Sequence, residues 1–456
     1  MGTASYQGTG DFVRSARWSV VGVICGTLTG VILLAGCSGD SADGTGYRRP
    51  VRDEASAVPA AKAYDPPRKF TGGGVRLSAT EAEHTETTLW KTKAFVLTET
   101  GLSAYDTRGS GGPAWSVRKP AGMSTGVDER ARVWESTQPS VVHQGGRTLV
   151  LFAYQKYTDG TGTAKGRSTV SLRAVDAESG KAAWTVAVPT PKGMSFNSDS
   201  SPSVVGVEDG IAVLTARTTP DFDDVYDDPR SMVTYGIDLA ARRVDWLESG
   251  FGARVVADGV IAGEQLPRQA EIGDVKWTAP DGGMRLVGRS VSDGTVRWKD
   301  SRNLFGLKIE SMGAGLMSVD MVLEFKENRQ TYALLDAATG RRPARMTEAG
   351  ERDFAYEGRS CVYDERSVIV CGSADHSLAA LDSRTHTVLW EINEDDPTRD
   401  VPALNSAWHG AVYVGAGVIL DARTGKDDGT FSAGYLTHVN EYGGLDMDLT
   451  VYEAAG

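Results

Sequence analysis

The sequence predicts an all-β fold: an eight-bladed β-propeller closed by its own N-terminal strand. Three observations predict it. A unit running from an apolar strand through an acid toward a Trp recurs between residues 70 and 456. Glycine makes up 54 of the 456 residues, above the usual share of about 7%, and without a collagen period this implies many tight turns. No amphipathic helix of useful length separates the units.

The N-terminal elements read as an address. Residues 1–18 carry Arg14 and Arg17, and an apolar run follows from Val20 to Gly36. Its length suits the core of a signal peptide. It ends in Leu34-Ala35-Gly36-Cys37, an aliphatic residue and two small ones before a cysteine. This matches a lipoprotein processing box. Residues 1–36 are therefore expected to be removed and the Cys37 thiol to carry the lipid, which places the rest of the chain on the outer side of a cell membrane. Residues 37–69 are rich in Gly, Ser, Ala, Pro and charge. They cannot bury enough apolar surface to fold and read as a flexible tether.

From residue 70 onward the repeat dominates. The anchor positions are Asp106, Asp176, Asp238, Ser290, Asp336, Asp382, Asp421 and Glu453. In five units the downstream strand carries a tryptophan: Trp115, Trp184, Trp246, Trp298 and Trp390. Each unit reads as a period-2 strand ending at the acid, a turn capped by that short side chain, and a second strand bearing the Trp. Two further short strands precede most anchors, as in SVVGVEDGIAVLTA before Asp238. Four antiparallel strands repeated radially describe a propeller blade, and each blade needs its neighbours to cover its faces. The last unit ends at Gly456 without its outer strand, whereas Gly72–Thr80 has no blade of its own. That segment is expected to supply the missing strand and close the ring, covering edges that would otherwise be exposed. Seven blades with a loose C-terminal extension is the alternative count.

The pattern Asp-x-x-(Thr/Ser)-Gly-x-x-x-Trp resembles the tryptophan-docking repeat of the PQQ-like, quinoprotein-type propellers. The resemblance implies that Trp115, Trp184, Trp246, Trp298 and Trp390 pack between adjacent blades. The units at Asp336 and Asp421 carry Ala344 and Gly429 at the Trp position, so those two junctions should be packed differently. Enzymes of that superfamily hold a quinone and a divalent cation, typically under a disulfide between adjacent cysteines. This sequence has no adjacent cysteine pair, and no cofactor is expected.

The remaining candidates carry little chemistry. Cys361 and Cys371 flank a hairpin centred on Arg366. An antiparallel register places them opposite each other within disulfide range, and an oxidising compartment permits the bond. The six histidines show no metal-ligand spacing, and no metal site is expected. Gly122-Met-Ser-Thr-Gly126 matches a hydrolase pattern that requires a strand-to-helix elbow, whereas Ser124 falls in a connector. The acidic run Asp221–Asp228 matches no EF-hand spacing and reads as a solvated insertion. No catalytic constellation emerges. The formal charge of −12 argues against nucleic-acid binding. The expected function is a membrane-anchored, non-catalytic scaffold for an unknown protein partner. The alternative is a small-ligand sensor or a quinoprotein-type enzyme using the central funnel.

Overall fold

The computed structural model describes residues 61–79, 85–98, 100–118, 123–124, 138–161, 163, 166–196, 202–220, 232–266, 283–302, 304, 306–324, 329–343, 360–372, 377–395 and 399–456. Cys37 and the run Asp221–Asp228 lie outside them. Eight antiparallel sheets follow one another, and the described residues contain no α-helix.

Blade 1 shows the plan. Its strands Glu86–Trp90, Lys93–Thr98, Gly101–Asp106 and Pro113–Arg118 are ordered from the inside outward. The middle strands are buried on both faces because each is covered by a blade on either side. Lys93–Thr98 and Met232–Asp238 are accordingly almost continuous apolar or small-residue runs. Outer strands alternate instead, as in Arg243–Ser249, where every second residue points to solvent. The two patterns follow from one rule: burial on both faces removes the period-2 signal, and burial on one face restores it.

The innermost strands of consecutive blades begin at Glu86, Ser140, Ser203, Phe251, Gly306, Ser360, Leu404 and Leu436. Each contacts the next, and the last contacts the first, so the ring is closed with eight blades. Among the described residues there is no common core. Eight apolar clusters are present, and each spans one pair of neighbouring blades. Stability therefore resides in the junctions, as in other repeat architectures.

Closure uses the N-terminal strand Val75–Arg76, which pairs antiparallel with Thr450–Glu453 as the fourth strand of blade 8. The anchoring extends further upstream. The Tyr64 N–H donates to the Glu441 carbonyl at 2.7 Å, and the Thr71 N–H to the Glu453 carbonyl at 2.9 Å. The Arg68 and Lys69 N–H groups both reach the Gly456 carbonyl, at 2.6 and 3.0 Å. The Tyr413 hydroxyl donates to the Pro67 carbonyl at 2.7 Å. Residues 64–69, polar in composition, are thus held against blades 7 and 8. The reason is that the free edges of the ring offer backbone partners that composition alone does not reveal.

Blades 2 and 3 are elaborated. Arg147–Thr158 and Arg167–Asp176 run past the length of an ordinary blade strand, and Met123–Ser124 pairs with the far end of the first. Ser124 therefore sits in a two-residue strand, opposite Gln155, and not at the start of a helix. Blade 5 contributes three described strands, Gly306–Gly313, Leu316–Glu324 and Arg329–Asp336.

Candidate functional site

Six anchor carboxylates, Asp106, Asp176, Asp238, Asp336, Asp382 and Asp421, organise the turn that follows. Asp336 Oδ1 accepts the Thr339 N–H and hydroxyl, both at 2.8 Å, and Asp421 Oδ1 accepts the same pair from Thr424. Asp176 does this with Ser179. A backbone bond from the fourth residue after the anchor back to its carbonyl closes the turn: Gly180 to Asp176, Gly340 to Asp336 and Gly425 to Asp421, each at 2.8 Å. That fourth residue takes positive φ, which glycine adopts without a steric penalty. Blade 4 has Ser290 in place of the acid. There the Arg289 guanidinium, paired with Glu248, holds the Gly294 carbonyl at 2.7 Å, and Asp293 caps Thr295.

These turns receive the tryptophans of the preceding blades. The indole N–H groups of Trp115, Trp246, Trp298 and Trp390 donate to the carbonyls of Ala177, Val291, Ala337 and Ala422, at 3.2, 2.9, 3.1 and 2.8 Å. A Cβ added to Gly180, Gly294, Gly340 or Gly425 would lie 2.6, 2.8, 2.5 or 2.6 Å from the same four rings. The turn glycine therefore serves twice, supplying positive φ and letting the indole lie flat on the backbone. Within its own blade each of the five indoles faces a small residue on the adjacent strand: Ala104, Ala174, Gly236, Gly288 and Ala380. Trp184 is 9% exposed and packs with Leu239 and Val244, on a turn where Arg242 takes the glycine position at φ 57°.

Three junctions lack a repeat tryptophan, and one of them, between blades 8 and 1, is formed by the closing strand Val75–Arg76, on which Gly111 packs. Between blades 7 and 8, Gly429 holds the Trp position, and the Arg68 carbonyl lies 3.6 Å from where its Cβ would be. The N-terminal segment fills the space, with Phe70 packed edge-on against Tyr413 and Phe431 at 5.8 Å from each. Between blades 5 and 6 the arrangement is different. Ala344 lies outside the described residues. The small residue is replaced by Leu334, and the turn glycine by His386 at φ 55°. A cavity of about 620 Å³ opens there, lined among others by Arg341, Arg342, Pro343, Arg384 and His386, with Asp336 as its acidic member. His386 Nε2 is buried without a hydrogen-bond partner, and burial holds the imidazole pKa below its ordinary value.

On the inner hairpin of blade 6, Cys361 and Cys371 lie directly opposite each other and are joined by a disulfide. They belong to the apolar cluster that Met312, Leu316 and Leu334 of blade 5 share with Ile369 and Leu381 of blade 6. The two thiols are therefore spent on each other across a hairpin, and a cap of adjacent bonded cysteines over a quinone cannot be built from them. Among the described residues no three His, Cys, Asp or Glu side chains cluster in a way that could hold a metal ion. These residues do not fit the quinone-and-cation arrangement.

The indole-on-glycine docking, repeated around a closed ring, decides the fold type. It is an eight-bladed β-propeller. Solved structures similar to it include BamB from Moraxella catarrhalis, at 12% identity and a TM-score of 0.40, with 84% of this chain and 98% of that chain covered. Another is the computationally designed Ika8 protein, at 11% identity and 0.44, covering 84% and 99%. A third is the quinohemoprotein alcohol dehydrogenase ADHIIG from Pseudomonas putida HK5, at 11% and 0.40, covering 87% and 76%. The set thus includes both a quinohemoprotein alcohol dehydrogenase and proteins whose names state no catalysis, and at these levels it carries no argument about activity. No family model and no curated protein matches the chain.

What sequence reasoning missed is the partner set of the tryptophans. The small residue two positions before each anchor was in view, since AYD, AVD, GID, GRS and ALD contrast with LLD and ILD. Its meaning required the strand register.

Proposed function

We propose that the propeller is a non-catalytic interaction scaffold, tethered through a lipidated Cys37 to the outer face of a cell membrane. The supporting observation is the way the ring is fastened at its N-terminal end. Val75–Arg76 completes blade 8 and residues 64–71 are pinned to blades 7 and 8, so a load applied through residues 37–63 is received by backbone hydrogen bonds of the ring. A rigid ring offers broad loop surfaces for a partner. Mass spectrometry of the membrane-extracted protein tests the anchor: an acylated N-terminus at Cys37 is expected, and an unmodified Met1 refutes it. Crosslinking from intact membranes tests the scaffold role and is expected to join one partner reproducibly. Quinone absorbance together with dye-linked alcohol oxidation, after incubation with PQQ and Ca²⁺, would replace this reading with an enzymatic one.

A further inference from the structure

The strongest unassigned feature is the cavity between blades 5 and 6, and its chemistry is legible without reference to the tether. At five other junctions the same level of the ring is filled by an indole. Here the three parts of the docking device differ together: the sequence has no Trp at position 344, Leu334 stands in the small-residue place, and His386 stands in the glycine place. The space left is about 620 Å³. That falls within the roughly 300–1,000 Å³ of small-molecule sites and is far more than a lone ion needs.

Its lining is cationic. Arg341 and Arg342 come from the blade 5 turn and Arg384 from the blade 6 turn, against Asp336 on the acidic side. Asp336 already spends one oxygen on Thr339. The neighbouring Asp382 is engaged by Arg423 at 3.0 Å and by the turn N–H groups. Among the described residues neither Arg341 nor Arg384 has a carboxylate partner. Guanidinium groups converging from two blades present forked donors that match a carboxylate or phosphate. The buried His386 Nε2 adds an unmet polar atom, and such atoms in native proteins call for a partner.

We propose that this cavity binds a small organic anion. Its carboxylate or phosphate group is held by Arg341 and Arg384, and its body occupies the vacated indole slot against Pro343 and His386. The inference goes beyond the scaffold reading and survives its failure.

The test is calorimetric titration of the detergent-solubilised full-length protein, in chloride buffer, with citrate and separately with pyrophosphate. Saturable one-to-one binding of at least one probe is expected, and which probe binds distinguishes carboxylate from phosphate recognition. The double variant R341Q/R384Q should bind at least tenfold more weakly while melting as the parent does. R243Q, at an exposed arginine on blade 3, should leave the affinity unchanged. Absence of saturable binding of both probes to folded protein overturns the proposal. So does undiminished affinity in R341Q/R384Q, or an equal loss in R243Q, which would reveal diffuse charge in place of a site.

Discussion

The junction between blades 6 and 7 and the junction between blades 5 and 6 solve one problem in opposite ways. In the first, Trp390 lies on Gly425, donates to the Ala422 carbonyl at 2.8 Å and faces Ala380. In the second, no described indole bridges the blades. Leu334 and the apolar cluster hold them, a disulfide braces the inner hairpin, and a cationic cavity takes the remaining space. The difference teaches that the docking device is modular. Where the small residue and the turn glycine both depart, the indole departs with them, because a large residue under the ring crowds it; replacing the glycine alone, by Arg242, leaves Trp184 packed over Ala174. It also shows where a repeat protein can open a site without losing closure: a junction relieved of one bridging contact is still held by its inner strands.

The largest test of this contrast is Trp390→Ala. Loss of a half-buried aromatic and of its hydrogen bond should destabilise the ring by about 3 kcal/mol, read as a lowered denaturant midpoint. A loss below about 1 kcal/mol would show that the indole is ornamental and would end the comparison. Next is the brace of the blade 6 hairpin that faces the other junction. Cys361 and Cys371 are separated by 10 residues, and Cys361→Ser with Cys371→Ser should cost about 2–3 kcal/mol through the freed unfolded chain. Unchanged stability would leave the apolar cluster as the sole brace.

A third test uses pH. The Asp382 carboxyl is held down at about 2, first by the Thr385 N–H, and also by Arg423, the Thr385 hydroxyl and the Arg384 N–H. In the unfolded chain the value is about 3.9. A depressed carboxyl stabilises fully above the unfolded value, and that contribution is lost as pH falls from about 4 to about 2. Asp382→Asn should therefore cost about 2 kcal/mol at neutral pH and progressively less toward pH 2. A gap that stays constant across that range would assign the cost to geometry and not to charge. The smallest expected effect is His386→Gly. Relief of positive φ offsets the lost packing, and the change should stay within about 1 kcal/mol. A loss as large as that of Trp390→Ala would mean that His386 replaces the indole energetically, which would erase the distinction between the two junctions.

Much of the architecture was legible from the chain because a blade writes itself locally. The acid, the turn and the Trp fall within about a dozen residues, so Asp382 and Trp390 could be paired by spacing alone. The missing outer strand was legible by counting, and Val75–Arg76 fills it. The Cys361–Cys371 hairpin was legible from its symmetry. The anchoring of residues 64–69 was not, since it depends on backbone groups at a ring edge and not on side-chain pattern. Nor was the cavity, whose arginines come from segments more than forty residues apart in the sequence.

The sequence by itself determined the repeating unit and pointed to the segment that closes the ring, because hydrophobic period, turn chemistry and spacing act over short distances, while the choice between eight blades and seven was decided by the contacts of the inner strands. Tertiary structure alone decided what each indole rests on, which junction is filled by the N-terminal segment, and which is left open to solvent between arginines. Those outcomes depend on contacts between blades, and a one-dimensional pattern constrains the shape of each blade far more tightly than the fit between two of them.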